Sequence, residues 1–194
     1  MPRKVTIIQG HPDPQGNRFC HALADAYSQG AKETGHEVRR VEVAKLDFPI
    51  LRSQAEFEDG TPADDIVTAQ QAIEWADHLV IIYPLWLGAL PAMLKAFIEQ
   101  VFRPGFAFEY QTEGWPVKRL KNRSARIVVT IGMPALAYRW FYGAHSLKSL
   151  ERNILKFCGI GPVRDTLIGL VDVGGDTRHK KLLAKLEKLG RRGH

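Results

Sequence analysis

The stretch from Leu79 to Val101 constrains the fold of this chain more than any other. Leu79-Val80-Ile81-Ile82 is an unbroken apolar run, the pattern of a strand covered on both faces. Pro84 has no N–H to give to a ladder and predicts the end of that strand. Pro91 stands where a first helical residue belongs, its φ pre-set for a helix. Leu94, Phe97, Ile98 and Val101 then share one helical face. The turn between strand and helix, Leu85-Trp86-Leu87, is large and apolar, where turns are normally polar. At the carboxyl end of a parallel strand, such a turn either plugs the top of the sheet or walls a site for a flat ligand. The stretch alone leaves both readings open.

The rest of the chain repeats the unit. Lys4 to Gln9 reads as a first strand, and Gly10 to Asn17 as a loop dense in turn formers. Cys20, Leu23, Ala24 and Tyr27 follow at helical spacing, and Gly35 ends that helix. Glu37 to Val43 predicts a second strand. Leu46 to Gly60 has no clear period. Thr61-Pro62-Ala63-Asp64 predicts a helix start, with Thr61 as cap and Pro62 at the first position. Phe102 to Lys121 reads as an irregular insertion, and Ala125 to Gly132 as a fourth strand. Met133 to Gly143 is an aromatic loop. Leu147 to Cys158 predicts a helix closed by Gly159, Val163 to Val171 a fifth strand, and Asp176 to Leu189 a last helix. Strands alternating with helices in this way mean βαβ units and a parallel sheet. The expected fold class is α/β, a doubly wound three-layer sandwich with strand order 2-1-3-4-5. With 194 residues, 45% of them hydrophobic, residues 1–194 suffice for one good core and form one domain in this reading.

Several function classes drop out. The net charge is +6, with much of the excess in Lys180, Lys181, Lys185, Lys188, Arg191 and Arg192. Leu182, Leu183, Leu186 and Leu189 make that segment an ordinary amphipathic helix with no aromatic residues to stack on bases, so no nucleic-acid partner is expected. Cys20 and Cys158 fall on apolar helix faces and read as buried reduced thiols. Lys4 leads directly into a strand, and the longest apolar run is shorter than the ~18 residues of a membrane span. A cytoplasmic protein is expected. The cysteines and histidines lack zinc spacing, so no metal is expected. Gly10 to Gly16 is one residue too long for a P-loop, and no Lys-Ser or Lys-Thr follows it. The G-x-G-x-x-G fingerprint and the G-x-S-x-G elbow are both absent. Three loops remain at the carboxyl ends of the first, third and fourth strands. One suits a phosphate at a helix start, and two are lined by large apolar and aromatic residues. A phosphorylated, flat, aromatic ligand matches that set, and a flavin is the first candidate.

Specific residues carry a family resemblance. They are Gly10-His11-Pro12, Pro84-Leu85-Trp86 with Pro91-Ala92-Met93-Leu94-Lys95, Thr130-Ile131-Gly132, and Tyr138 with Gly143-Ala144-His145. On these the chain resembles the flavodoxin-fold NAD(P)H:quinone oxidoreductases, a group that includes quinone reductases of the mammalian type, bacterial drug-activity modulators and ancillary subunits of potassium-efflux systems. The resemblance implies a bound flavin, FMN or FAD, with NAD(P)H as co-substrate. Hydride would pass through the flavin to a quinone or similar flat acceptor. It places the flavin phosphate against His11 and the Gly16-Asn17-Arg18 turn. The ring edge falls against Pro84, Leu85, Trp86, Leu87 and Gly88, and the pyrimidine end beside Thr130, Ile131 and Gly132. Tyr138 and His145 take the part of stabilising charge on the flavin. The resemblance also implies a homodimer with its active site at the interface.

The chain departs from the family pattern at several of these positions. Gly16-Asn17-Arg18 replaces a common Ser-Phe-Asn, Leu87 a usual tryptophan, Gly88 a usual phenylalanine, and Met133-Pro134 a glycine pair. One extra residue separates Tyr138 from His145. Bland roles stand beside the functional ones: His11 as a loop brace, Tyr138 packing a dimer face, His145 capping a helix. Two other activities stand beside the enzyme. One is an ancillary flavin protein bound to a membrane transporter, and the other a one-electron flavodoxin-type carrier.

Overall fold

A computed structural model describes residues 1–194. In chain order the elements are β1 (Lys4–Gln9), α1 (Phe19–Glu33), β2 (Glu37–Glu42), α2 (Gln54–Glu58), α3 (Asp64–Trp75), β3 (His78–Pro84), α4 (Ala92–Val101), β4 (Phe108–Glu109), β5 (Val117–Lys118), β6 (Ser124–Thr130), α5 (His145–Ser149), α6 (Lys156–Cys158), β7 (Val163–Ile168) and α7 (Gly175–Arg192). A π-helical stretch, Leu150–Leu155, joins α5 to α6. The main sheet is parallel, in the order β2-β1-β3-β6-β7. Counting only its five strands, that is the 2-1-3-4-5 order and the flavodoxin-like sandwich expected from the sequence.

β3 lies in the middle of the sheet, and all seven of its residues are buried. Side chains alternate between the two faces. Leu79, Ile81 and Tyr83 join Ile8, Ile127, Val129, Leu94 and Phe97 in the larger core, under α3, α4 and α5. Val80 and Ile82 join Val5, Ile7, Val128 and Ile168 under α1 and α7. Each large apolar side chain fully buried in these layers contributes roughly 1.5–3 kcal/mol.

The structure moves several expected boundaries. Pro84 is the last residue of β3, and the Leu85 N–H still reaches the Thr130 carbonyl at 2.8 Å. α4 begins at Ala92, with the extended Pro91 as its cap residue. α3 begins at Asp64 behind Ala63, without a side-chain cap. Asp64 and Asp65 supply negative charge to that first turn instead. Val43 ends β2 by turning into a short 3₁₀ segment. β7 stops at Ile168 and not at Val171. The insertion after α4 contains the antiparallel pair β4 and β5. The aromatic loop contains a π-helical turn, Ala137–Phe141.

α1 and α7 cross at two glycines. A Cβ on Gly30 would stand 2.0 Å from the Glu187 carbonyl oxygen, and one on Gly190 2.1 Å from that of Tyr27. Backbone thus packs on backbone, with Tyr27, Leu23 and Leu186 completely buried beside the crossing. Gly30→Ala or Gly190→Ala should push the helices apart and cost at least about 1–3 kcal/mol, read as a lower urea midpoint at unchanged m-value. An unchanged midpoint would show that the crossing has slack.

Candidate functional site

The loops after β1, β3, β6 and β7 meet on one rim and enclose a cleft of about 330 Å³. Seven of the expected site residues line it: His11, Arg18, Pro84, Leu85, Trp86, Thr130 and Gly132. A second cavity of about 340 Å³ adjoins along the same loops, between Leu87-Gly88, Met133, Tyr138, Tyr142 and His145. The expected set therefore divides between two neighbouring spaces. Gly16 and Asn17 line neither. They form the exposed tip of the first loop, Gly16 at φ +76°. Ile131 is buried below the rim and braces it: its N–H donates to Ile168 and its carbonyl accepts from Val171.

One end of the cleft is built for an anion. Arg18 is the cap residue of α1, and its carbonyl accepts from the N–H groups of His21 and Ala22. The His21 Nδ1 accepts from the Arg18 N–H at 3.4 Å. The N–H groups of Phe19 and Cys20, the first two residues of the helix, have no partner inside it. The first turn carries no acidic residue of its own, so nothing within the helix offsets the positive end of its dipole. The Arg18 guanidinium adds full charge, with its Nε on Asp13 at 2.6 Å and its Nη groups free. Asp13 is steadied by donation from the Gln15 N–H at 2.9 Å. That bond, with Arg18 beside it, holds the Asp13 carboxyl below its ordinary range.

His11 is fixed in orientation. Its N–H donates to the buried Gln9 Oε1 at 2.9 Å, and its Nδ1 accepts from the Asp13 N–H at 3.0 Å. The ring proton therefore sits on Nε2. Burial first, and then His21, lower the His11 pKa and keep the ring neutral. The ring meets Trp86 edge to face at 5.9 Å, so it braces the loop and lines the cleft at once.

The other walls are flat. Trp86-Leu87-Gly88-Ala89 closes on itself, Trp86 and Ala89 exchanging both backbone hydrogen bonds. Leu87 and Gly88 stand at φ +47° and +77°, the geometry of a type I′ turn. A leucine there costs about 1–2 kcal/mol, yet its side chain is fully exposed. Opposite, the Thr130 Oγ1 lies 3.3 Å from the Cys20 Sγ. Burial pushes the Cys20 thiol up to about 11, so it lines the cleft as a neutral group.

Tyr138 and His145 both line the second cavity, in different states. Tyr138 is buried, and its hydroxyl accepts from the Leu147 N–H at 3.4 Å. Burial raises its pKa. The hydroxyl thus keeps its proton and has it free to donate. His145 opens α5 and is exposed. Its ring folds over Gly143, whose absent Cβ would stand 2.7 Å from the imidazole Nε2. A side chain at position 143 would displace that ring.

Phe19, Cys20, Val171 and Asp172 also line the cleft, and the sequence pattern had not marked them as site residues. Val171 and Asp172 sit in the loop after β7, where the sequence pattern predicts strand through Val171. Arg178 donates to the carbonyls of Gly169, Leu170 and Val173, and His179 Nε2 meets the Val171 carbonyl at 2.9 Å. Together they clamp this loop, with Leu170 held at φ +52°. The signal was legible after all: Asp172 to Thr177 is a run of turn formers.

Known proteins resemble this chain in sequence and in fold. The family model described as flavodoxin-like fold matches residues 3–192. An uncharacterized NAD(P)H oxidoreductase of Haemophilus influenzae is 31% identical over 182 residues, which span 91% of this chain and 89% of that protein. An FMN-dependent NADH:quinone oxidoreductase of Clostridium beijerinckii is 26% identical over 95% of each chain. Among solved structures, an NAD(P)H:quinone oxidoreductase from Methanothermobacter marburgensis superposes with a TM-score of 0.81 at 25% identity, over 99% of this chain and 97% of that one.

Proposed function

The chain belongs to the family with the flavodoxin-like fold, and on that premise we propose that it is a flavin-dependent NAD(P)H oxidoreductase that reduces a quinone or similar flat aromatic acceptor. One observation carries the reading. A cleft with a cationic end and flat apolar walls shares its loops with a second cavity that presents Tyr138 and His145. Similarity to an NAD(P)H oxidoreductase and to an FMN-dependent NADH:quinone oxidoreductase supports it.

The donor set fits a flavin nucleotide. Arg18 and the free N–H groups of Phe19 and Cys20 suit a phosphate, bidentate on the guanidinium side. His11 offers one more donor at Nε2. Pro84, Leu85 and Trp86 suit the face and edge of a fused ring, with Thr130 and Gly132 across from them. When bound, the flavin supplies the redox chemistry, taking two electrons from NAD(P)H and passing them to the acceptor. The protein's part is position and electrostatics. Tyr138 holds its proton at the hydroxyl and donates it as a hydrogen bond to charge developing in the second cavity. The His145 ring, in the same cavity, offsets that charge. The apolar Trp86-Leu87 turn excludes water and keeps both interactions strong.

We also infer a homodimer whose second copy covers the mouth of the second cavity. Leu87, Leu136, Trp140 and Phe141 stand exposed around it, the last two at 80% and 84%. Large apolar side chains left exposed together on these loops suit an interface. Sedimentation should give twice the 21.8 kDa of one chain, and a single-chain mass at micromolar concentration would contradict the inference. For the enzyme itself, flavin-loaded protein should oxidise NADH or NADPH only when a quinone is present to turn over. His145→Ala should slow flavin reduction in stopped flow by about tenfold or more while leaving the thermal midpoint unchanged. Equal reduction rates would take His145 out of the mechanism, and loaded protein inert toward every quinone would contradict the activity.

A further inference from the structure

Three hydroxyl groups gather behind the wall of the second cavity, and only Tyr138 among them lines it. Tyr83, the last residue but one of β3, is completely buried in the same core as Tyr138. Its Oη has no hydrogen-bond partner. Ser146 is the second residue of α5, and its Oγ is also buried without a partner. Tyr138 is 2% exposed, and its Oη accepts from the Leu147 N–H at 3.4 Å. Ser146 directly precedes Leu147, so its side chain starts from the same end of α5 that the Tyr138 hydroxyl reaches. Burial raises the pKa of both phenols, and the Ser146 hydroxyl works against that rise at each.

A hydroxyl has one proton and two lone pairs, and its proton turns to suit its surroundings. A buried one left unmade costs free energy, whereas hydroxyls in a chain satisfy and polarise one another. The surroundings fix the direction of such a chain. The core around Tyr83 is apolar, with Leu94, Phe97 and Val129 among its members, so the Tyr83 proton has no outlet other than Ser146. The Leu147 N–H already occupies one lone pair of Tyr138. Donation from Ser146 fills the other, and the Tyr138 proton is left with one direction, outward. The reverse order would strand a proton on Tyr83, and a buried donor without an acceptor is rarer than an acceptor short of a donor.

We propose that Ser146 and Tyr83 are positioning residues for Tyr138: Tyr83 donates to Ser146, Ser146 donates to Tyr138, and the Tyr138 proton is thereby aimed into the second cavity. The chain of hydroxyls stands on burial and topology. Its use, a hydrogen bond held ready for charge developing in that cavity, rests on the flavin function proposed above.

The test has two arms. In flavin-free protein labelled at tyrosine Cζ, the five tyrosines give carbon resonances assigned by single replacements with Phe. Ser146→Ala should move the Tyr83 and Tyr138 resonances together, and Ser146→Thr, which keeps the hydroxyl, should return both. Tyr27 is as buried as Tyr83 and its hydroxyl is also unpartnered, but it lies in the other core. Tyr27→Phe should therefore move neither resonance. In flavin-loaded protein, Ser146→Ala should slow flavin reduction about fivefold, the worth of one ordinary hydrogen bond. Tyr83→Phe should slow it by a smaller factor, and Tyr27→Phe not at all. Once Tyr138→Phe is present, neither Ser146→Ala nor Tyr83→Phe should slow it further. Tyr83→Phe removes one oxygen and keeps the ring, so it decides the matter even if Ser146→Ala disturbs the start of α5. Three outcomes would overturn the proposal: Tyr83 and Tyr138 resonances indifferent to Ser146→Ala, no recovery in Ser146→Thr, or undiminished slowing in the Tyr138→Phe background. The first arm needs no flavin, so it judges the hydroxyl chain even where the flavin reading fails.

Discussion

Burial of β3 on both faces is the constraint from which the rest follows. A strand with all seven residues out of water needs helices above and below it, and parallel neighbours reach it only by crossovers. Those crossovers bring the loops after β1, β3, β6 and β7 to one rim. The same strand carries Tyr83 into the core beside Tyr138. The flat-walled cleft and the hydroxyls behind the second cavity are both consequences of where β3 lies.

Within that frame the position of the cleft's anion end is set by helix packing. α1 is held against the sheet by Cys20, Leu23 and Tyr27, and α7 locks it from outside through the Gly30 and Gly190 contact. α7 then acts a second time. Arg178 and His179, in its first turns, clamp the loop that brings Val171 and Asp172 to the cleft. His179 also stacks on Phe19 at 4.6 Å, tying that clamp to the first residue of α1. A core contact is therefore also a site contact, and strain at Leu170 is offset by the hydrogen bonds of Arg178.

Much of this was legible in the residues, for identifiable reasons. Apolar runs marked β1, β3 and β6, the spaced valines Val38, Val41 and Val43 marked β2, and the apolar stripes of α1, α4 and α7 marked their helices. The His11, Arg18, Trp86 and Thr130 positions were readable from the family resemblance, whose motifs lie at or beyond the carboxyl ends of β1, β3 and β6. Features that depend on distant partners were not. Thr61 and Pro62 look like a helix start, yet the helix begins at Asp64, where the acidic first turn replaces a hydroxyl cap. The π-helical turn at Ala137–Phe141 has no periodic signature, so burial of Tyr138 amid exposed aromatics could not be read from spacing. The left-handed Leu87 gave no sign, since leucine is a poor residue for that conformation. The hydroxyl cluster was invisible because Tyr83 lies far from Tyr138 in the chain and only packing joins them.

The central claim is that neighbouring crossover loops on one rim form a slot for a flavin nucleotide. The absorbance spectrum of the protein as purified, followed by mass analysis of what it releases on boiling, tests this most directly. The account predicts a yellow protein that frees one flavin nucleotide per chain, or a colourless one that turns yellow and saturates with added FMN or FAD. A colourless protein that binds neither at micromolar concentration would contradict it.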